Sequence, residues 1–240
     1  MKNYFGETKM FDLRRPCIVT SYDSANRRTL FFNQADKAKH PDRNYLVRDV
    51  ARATSAAPTY FKPTSFDIAW SDNKPKKPFK TPSLIDGGVF ANNPALSAYA
   101  EARTLDFGQI ESPGDIAFPS AKDMMVLSIG TGTVRQPYPY SSTENWGQLK
   151  WVQPVIDIMM SGNSETVDYQ LRQIFRVSKN EGSYHRIQIA LNEEDSGMDN
   201  VSPENLKNLH QLGLDYIQKN QVQLKTIIDQ IIGKSAAVSS

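Results

Sequence analysis

Ser83-Leu84-Ile85-Asp86-Gly87-Gly88-Val89-Phe90-Ala91-Asn92-Asn93-Pro94 is the stretch whose reading decides the fold of this chain. Leu84 and Ile85 form an apolar approach that reads as a short buried strand. It ends on an acid, then two glycines, then a helix start. Asn93 suits an N-cap, and Pro94 suits the first helical position, where no backbone donor is missed. From Pro94 to about Leu105, residues Ala95, Ala98, Tyr99, Ala102 and Leu105 recur at i, i+3, i+4, i+7 spacing and predict a helix. Asp86 thus stands at the C-terminal end of a strand, where α/β sheets build their sites. Gly87 and Gly88 allow φ > 0 and a close approach by another chain or a ligand. An isolated Asp-Gly-Gly is more often a plain strand-to-helix turn, because three-residue motifs recur by chance.

On the N-terminal side, Pro16–Tyr22 reads as a strand, Asp23–Arg28 as a turn and Thr29–Asn33 as the hairpin partner. Tyr45–Ala57 is helical, with Leu46, Val47, Val50, Ala51 and Thr54 on one face and Pro58 as its stop. Pro63–Pro82 is a proline-rich insertion without periodicity. On the C-terminal side, Gly108–Lys122 reads as a loop. Met124–Ile129 is a continuous apolar run broken only by Ser128, and Gly130-Thr131-Gly132-Thr133 follows it. That pattern fits a strand buried on both faces of a parallel sheet. The glycine turn lacks the lysine and the spacing of a phosphate-binding loop.

Two helices are expected next, Trp151–Met160 and Ser164–Phe175. Tyr184–Leu191 then reads as a strand with His185, Ile187, Ile189 and Leu191 inward and a wet face of Tyr184, Arg186 and Gln188. Ser202-Pro203 caps a last helical segment, which Gly213 and the polar patch near Asn220 bend or break, and 234–240 is a frayed, disordered tail. Strands and helices alternate through the centre, so the fold class is α/β with a largely parallel sheet.

Composition narrows the function. The 240 residues carry a net charge of +2, with 39% hydrophobic and 22% charged residues, as in one ordinary globular domain. Nothing in that balance points to nucleic acid. The basic cluster Lys74-Pro75-Lys76-Lys77-Pro78 reads as a solvated loop. Cys17 is the single cysteine, cannot form an internal disulfide, and reads as a buried core thiol. No apolar run approaches the ~20 residues of a membrane span. Met1–Thr8 is polar and mixed, without a signal-peptide pattern. The three histidines, His40, His185 and His210, read as structural or solvated. No metal-ligand pair or cysteine cluster appears, and no Gly-x-Gly-x-x-Gly follows a strand, so no metal and no cofactor is expected. A Ser-His-Asp triad finds no histidine in place. A dyad, with a carboxylate acting directly as base for a serine, stays open.

Two long segments carry a resemblance. Asp49-Val50-Ala51-Arg52-Ala53-Thr54-Ser55-Ala56-Ala57-Pro58-Thr59-Tyr60-Phe61, taken with Ile85 to Pro94, resembles the patatin-like phospholipases. Val126-Leu127-Ser128-Ile129-Gly130-Thr131-Gly132 and Met198-Asp199-Asn200 are similar to later parts of that family, so the resemblance runs from about Phe11 to Gln230. It implies a three-layer α/β/α fold and a Ser-Asp dyad that cleaves acyl esters of lipids. Asp86 takes the place of the family's acid and would accept the serine proton. Gly87 and Gly88 would hold the acid's loop close to the nucleophile, while Asn92 and Asn93 would fix the turn and the helix start. The family's nucleophile sits in a Gly-x-Ser-x-Gly elbow, and none occurs in these residues. The nearest match, Ser161-Gly162-Asn163-Ser164-Glu165, falls elsewhere in the pattern.

The resemblance therefore implies that residues 1–240 form the C-terminal portion of a single domain whose N-terminal part, with the serine, is missing. The implied partners are a phospholipid or other acyl-ester lipid, a transient membrane surface and a separate N-terminal fragment, in a cytoplasmic protein peripheral at membranes. The alternative is an inactive remnant that serves as an interaction or regulatory module.

Overall fold

The structure, a computed structural model, describes residues 1–68, 81–110, 114–134, 137–192 and 195–238, without the side chains of 36, 38 and 234–238. In chain order its elements are α1 (Lys2–Phe5), β1 (Ile18–Asp23), β2 (Arg28–Asn33), α2 (Val47–Thr54), β3 (Leu84–Asp86), α3 (Gly88–Ala91) and α4 (Ala95–Ala102). There follow α5 (Phe107–Ile110), β4 (Val126–Ile129), α6 (Tyr140–Thr143), α7 (Gln148–Val177), β5 (Tyr184–Ile187), α8 (Pro203–Lys219) and α9 (Gln221–Val238). The basic cluster Lys74–Pro78 and most of the Pro63–Pro82 insertion lie outside the described residues. Helix α9 reaches Val238, inside the segment expected to fray.

The expected hairpin forms: β1 and β2 pair antiparallel from Ile18↔Asn33 to Asp23↔Arg28. Asp23, fully buried, holds the turn by accepting from the amides of Ala25 and Asn26 and from the Asn26 side chain. β3 joins the other edge of β1, also antiparallel, with Ser21 opposite Asp86. The sheet order is β2-β1-β3, and α2 packs over it. Met10, Phe11, Phe32, Val50, Ala53, Ile68 and Leu84 form the core beneath.

A second, parallel pair joins β4 to β5, with Val126 opposite Tyr184 and Ile129 opposite Ile187. The class is α/β as read. The sheet is not largely parallel, however, since both pairings in the β2-β1-β3 sheet are antiparallel. The tight Asp23–Arg28 connection is too short for the crossover that parallel strands require.

Three further expectations are corrected. β4 is not buried on both faces, because Ile129 is 67% exposed. The two helices expected over 151–175 are one: α7 runs unbroken through Pro154 and Gly162. The wet face of β5 is not wet. Tyr184 is buried against Phe175 and donates to Asp168 Oδ1 of α7 at 2.8 Å. His185, pointing the other way, meets Gln230 of α9 at 2.8 Å. The β4–β5 strands are thus contacted by helices on both faces. Ala95, Tyr99, Val167, Leu171, Phe175 and Tyr184 are among the buried residues that make this second core. The capped start and the break of the C-terminal helices are as read: Ser202 accepts from the Asn205 amide, and the break comes at Asn220.

Candidate functional site

Asp86 is the last residue of β3, and its placement begins with the backbone around it. Its N–H donates to the Ala56 carbonyl at 3.0 Å, just beyond α2. The neighbouring Ile85 carbonyl accepts from the buried Ser21 hydroxyl at 2.7 Å. Leu84 exchanges both backbone hydrogen bonds with Thr64. The strand is therefore gripped on both edges up to the residue before the acid.

The Asp86 carboxylate turns back on its own loop. Oδ1 accepts the Gly88 N–H at 2.7 Å, and no cation pairs with the group among the described residues. Partial burial pushes its pKa up, and the Gly88 amide opposes that rise. A carboxyl so placed is a better proton acceptor than one held by an arginine, which would pull its pKa down.

The two glycines serve by closeness rather than by positive φ. Gly87 has φ −70° and ψ −16°, which any residue adopts. A Cβ there would overlap Thr20 Oγ1 and lie 2.5 Å from the Thr20 carbonyl carbon and oxygen. At Gly88 its one tight contact would be Asp86 Oδ1, at 3.2 Å. Gly87 is thus what lets the loop lie on β1. The next residues make a single helical turn, α3, which the sequence reading treats as part of the turn into the helix.

Asn92 and Asn93 both hydrogen-bond within the structure around the start of α4. Pro94 takes the N-cap position of α4, and Asn93 Oδ1 accepts from the Ala95 amide at 3.2 Å, so the asparagine caps from one residue earlier. Both asparagines also reach α7: Asn92 Nδ2 donates to the Met160 carbonyl at 3.1 Å and Asn93 Nδ2 to the Ser164 carbonyl at 3.5 Å. Asn163 returns the contact, donating to the Phe90 carbonyl at 3.0 Å. The segment Ser161–Glu165, whose Gly-x-Ser pattern reads as a failed elbow, is the clasp on the loop that follows Asp86.

Sequence reading misses three other members of this assembly: Thr20, Ser128 and Arg186. Ser128 lies in a recognisable strand, but nothing local marks Thr20 or Arg186. A cleft of about 590 Å³ opens elsewhere, between β2 and α4, and Asp86 does not line it. No group of three or more potential metal ligands occurs among the described residues. None of their helices is long and apolar enough to cross a membrane.

The family model of the patatin-like phospholipases matches residues 1–99, which include β3, the acid and both asparagines. The chain is similar to the patatin-like phospholipases over most of its length. Patatin-like protein 2 of Oryza sativa subsp. indica is 30% identical over 240 residues, covering 94% of this chain and 58% of the relative. Patatin-like protein 2 of Arabidopsis thaliana is 30% identical over 226 residues, covering 89% and 54%. Patatin-2-Kuras 3 of Solanum tuberosum is 28% identical over 225 residues, covering 91% and 57%. The chain spans a little over half the length of the patatin relatives it matches.

Proposed function

We propose that this chain carries the general-base half of a lipid acyl hydrolase, with Asp86 as the base. The observation that carries the reading is the Asp86 carboxyl itself. It ends a strand, is half-buried with a raised pKa, and has its Oδ1 fixed by an amide while no cation among the described residues claims it. Similarity to the patatin-like phospholipases supports an ester of a lipid as substrate. The serine of the dyad comes from a segment outside these 240 residues, carried on the same polypeptide or on a separate N-terminal fragment.

In the reaction, Asp86 accepts the serine proton as the hydroxyl oxygen attacks the acyl carbon. The proton then passes to the departing alcohol, leaving an acyl-serine. Water repeats the cycle and releases the fatty acid. Gly87 keeps the base on β1, and the Gly88 amide aims one oxygen of the carboxylate. The substrate is met at a lipid surface: Leu149, Val152, Val155, Ile156, Ile158 and Met159 expose apolar side chains on the first half of α7, just before the clasp at Met160–Ser164. The same face favours a second reading, in which the domain is an inactive remnant that docks on a partner.

The test is hydrolysis of an aryl acyl ester and of phospholipid vesicles by the chain with and without the Gly-x-Ser-x-Gly segment, wild type against Asp86→Asn. The proposal expects turnover with the segment present and a fall of about 10²–10⁴-fold on removing the base. Equal rates for wild type and Asp86→Asn would leave only the second reading.

A further inference from the structure

We infer that Arg186 is a positioning residue for the Asp86 loop, acting through Ser128 and Asn93; the inference rests on the reading of Asp86 as the proton acceptor. Arg186 lies on β5, half-buried, and its guanidinium meets neutral acceptors. Nη1 donates to Ser128 Oγ at 2.8 Å, and Nη2 donates to Ser164 Oγ at 3.2 Å and to Gln188 Oε1 at 2.8 Å. No carboxylate pairs with it among the described residues. A cation taken partly out of water without a counter-charge is unfavourable for stability alone, which points to a geometric reason for its presence.

That reason is legible in the hydroxyl it holds. Ser128 is 4% exposed, and its oxygen already accepts from Arg186. Its one proton is thereby directed to Asn93 Oδ1, at 3.1 Å. Asn93, itself 3% exposed, has that oxygen shared between Ser128 and the Ala95 amide, so its amide group has one orientation and its nitrogen faces the Ser164 carbonyl. Ser164 is the guanidinium's second anchor. One side chain thus ties β4, β5, α7 and the start of α4 at a single point. Gly130 shows how tightly it is seated: a Cβ there would lie 2.7 Å from Arg186 Nη2. The loop that follows Asp86 is held at its start by Gly87 on Thr20 and at its end by Asn93. Only a planar fork reaches all three acceptors at once.

The test uses the purified 240-residue chain and two NMR readouts: exchange of the Gly88 amide, which donates to Asp86, and titration of the Asp86 carboxyl carbon. Arg186→Met is expected to speed Gly88 exchange tenfold or more. It also moves the Asp86 titration down toward the ordinary carboxylate range, since burial outweighs the opposing amide bond. Amides of the β1–β2 hairpin should keep wild-type exchange, which a general loosening of the fold would not allow. Arg186→Lys recovers part of both effects, because an ammonium can serve Ser128 but not all three acceptors. Ser128→Ala removes the link to Asn93 with the arginine in place and shifts both readouts in the same direction, so the inference stays testable if Arg186→Met does not fold. Wild-type exchange or wild-type titration in Ser128→Ala, or in a folded Arg186→Met, would overturn it. Neither readout needs turnover, so failure here is separate from failure of the hydrolase reading, which the Asp86→Asn rates decide.

Discussion

At the residue scale the two glycines beside Asp86 separate cleanly. Gly87→Ala forces a methyl into the backbone of Thr20, which cannot yield as a flexible side chain would. It should destabilise the fold by about 1–3 kcal/mol, as overpacking does. Gly88→Ala makes its one tight contact with a carboxylate oxygen at 3.2 Å and should cost clearly less. Thermal melting of the two variants checks the order. Asp86 itself should weaken the fold at neutral pH. Its folded pKa is raised, so the native state binds its proton more tightly than the unfolded chain does. Stability contributed by the protonated acid is fully present below the ordinary carboxylate range and is lost as pH rises through the folded value. Asp86→Asn should therefore be more stable than wild type at pH 7, with the difference vanishing on acidification. Paired melts across that range check the sign. The sequence makes Asp86 and its glycines legible because their neighbours are local. It hides Thr20 and Arg186 because their partners lie dozens of residues away: Gly87 for the one, Ser128 for the other.

At the scale of elements, legibility follows the range of the forces. The hairpin of β1 and β2 and the capped start of α8 are read correctly, since turn chemistry and a serine cap act within a few residues. Helix α7 is misread because Ser161-Gly162-Asn163 has poor helix propensity, yet Asn163 and the carbonyls of Met160 and Ser164 are bound to the 90–93 segment. Tertiary contact overrides the local preference there. Tyr184 and Arg186 look like a wet face only until α7 supplies Asp168 and Ser164 as partners. A prediction follows from Gly162. Nothing lies within 4 Å of where its Cβ would stand, so Gly162→Ala should raise stability by about 0.5–1 kcal/mol through the helix backbone alone. A rise in melting temperature with the clasp hydrogen bonds unchanged checks it.

At the scale of the whole molecule the surface carries more apolar area than its two cores explain. Leu149 on α7 is 91% exposed and Val222 on α9 is 84% exposed, in company with Val152, Met159 and Ile232. Apolar area left in water costs about 25 cal/mol per Å² relative to burial. The 240-residue chain on its own should therefore self-associate at tens of micromolar in sedimentation, and Val152→Glu with Met159→Glu should shift it toward monomer. A sharply melting wild-type monomer would contradict this. The family and the mixed α/β class were readable from two long segments, whereas the antiparallel β3 pairing was not, because three residues carry no pattern of direction.

The most direct measurement is the acid limb of kcat/KM for ester hydrolysis by the protein supplied with its serine-bearing segment. If Asp86 is the base, the rate rises with pH through a single ionisation above the ordinary carboxylate range, and Asp86→Asn abolishes both the limb and the turnover. A limb that persists in Asp86→Asn, at an undiminished rate, would show that the proton goes elsewhere.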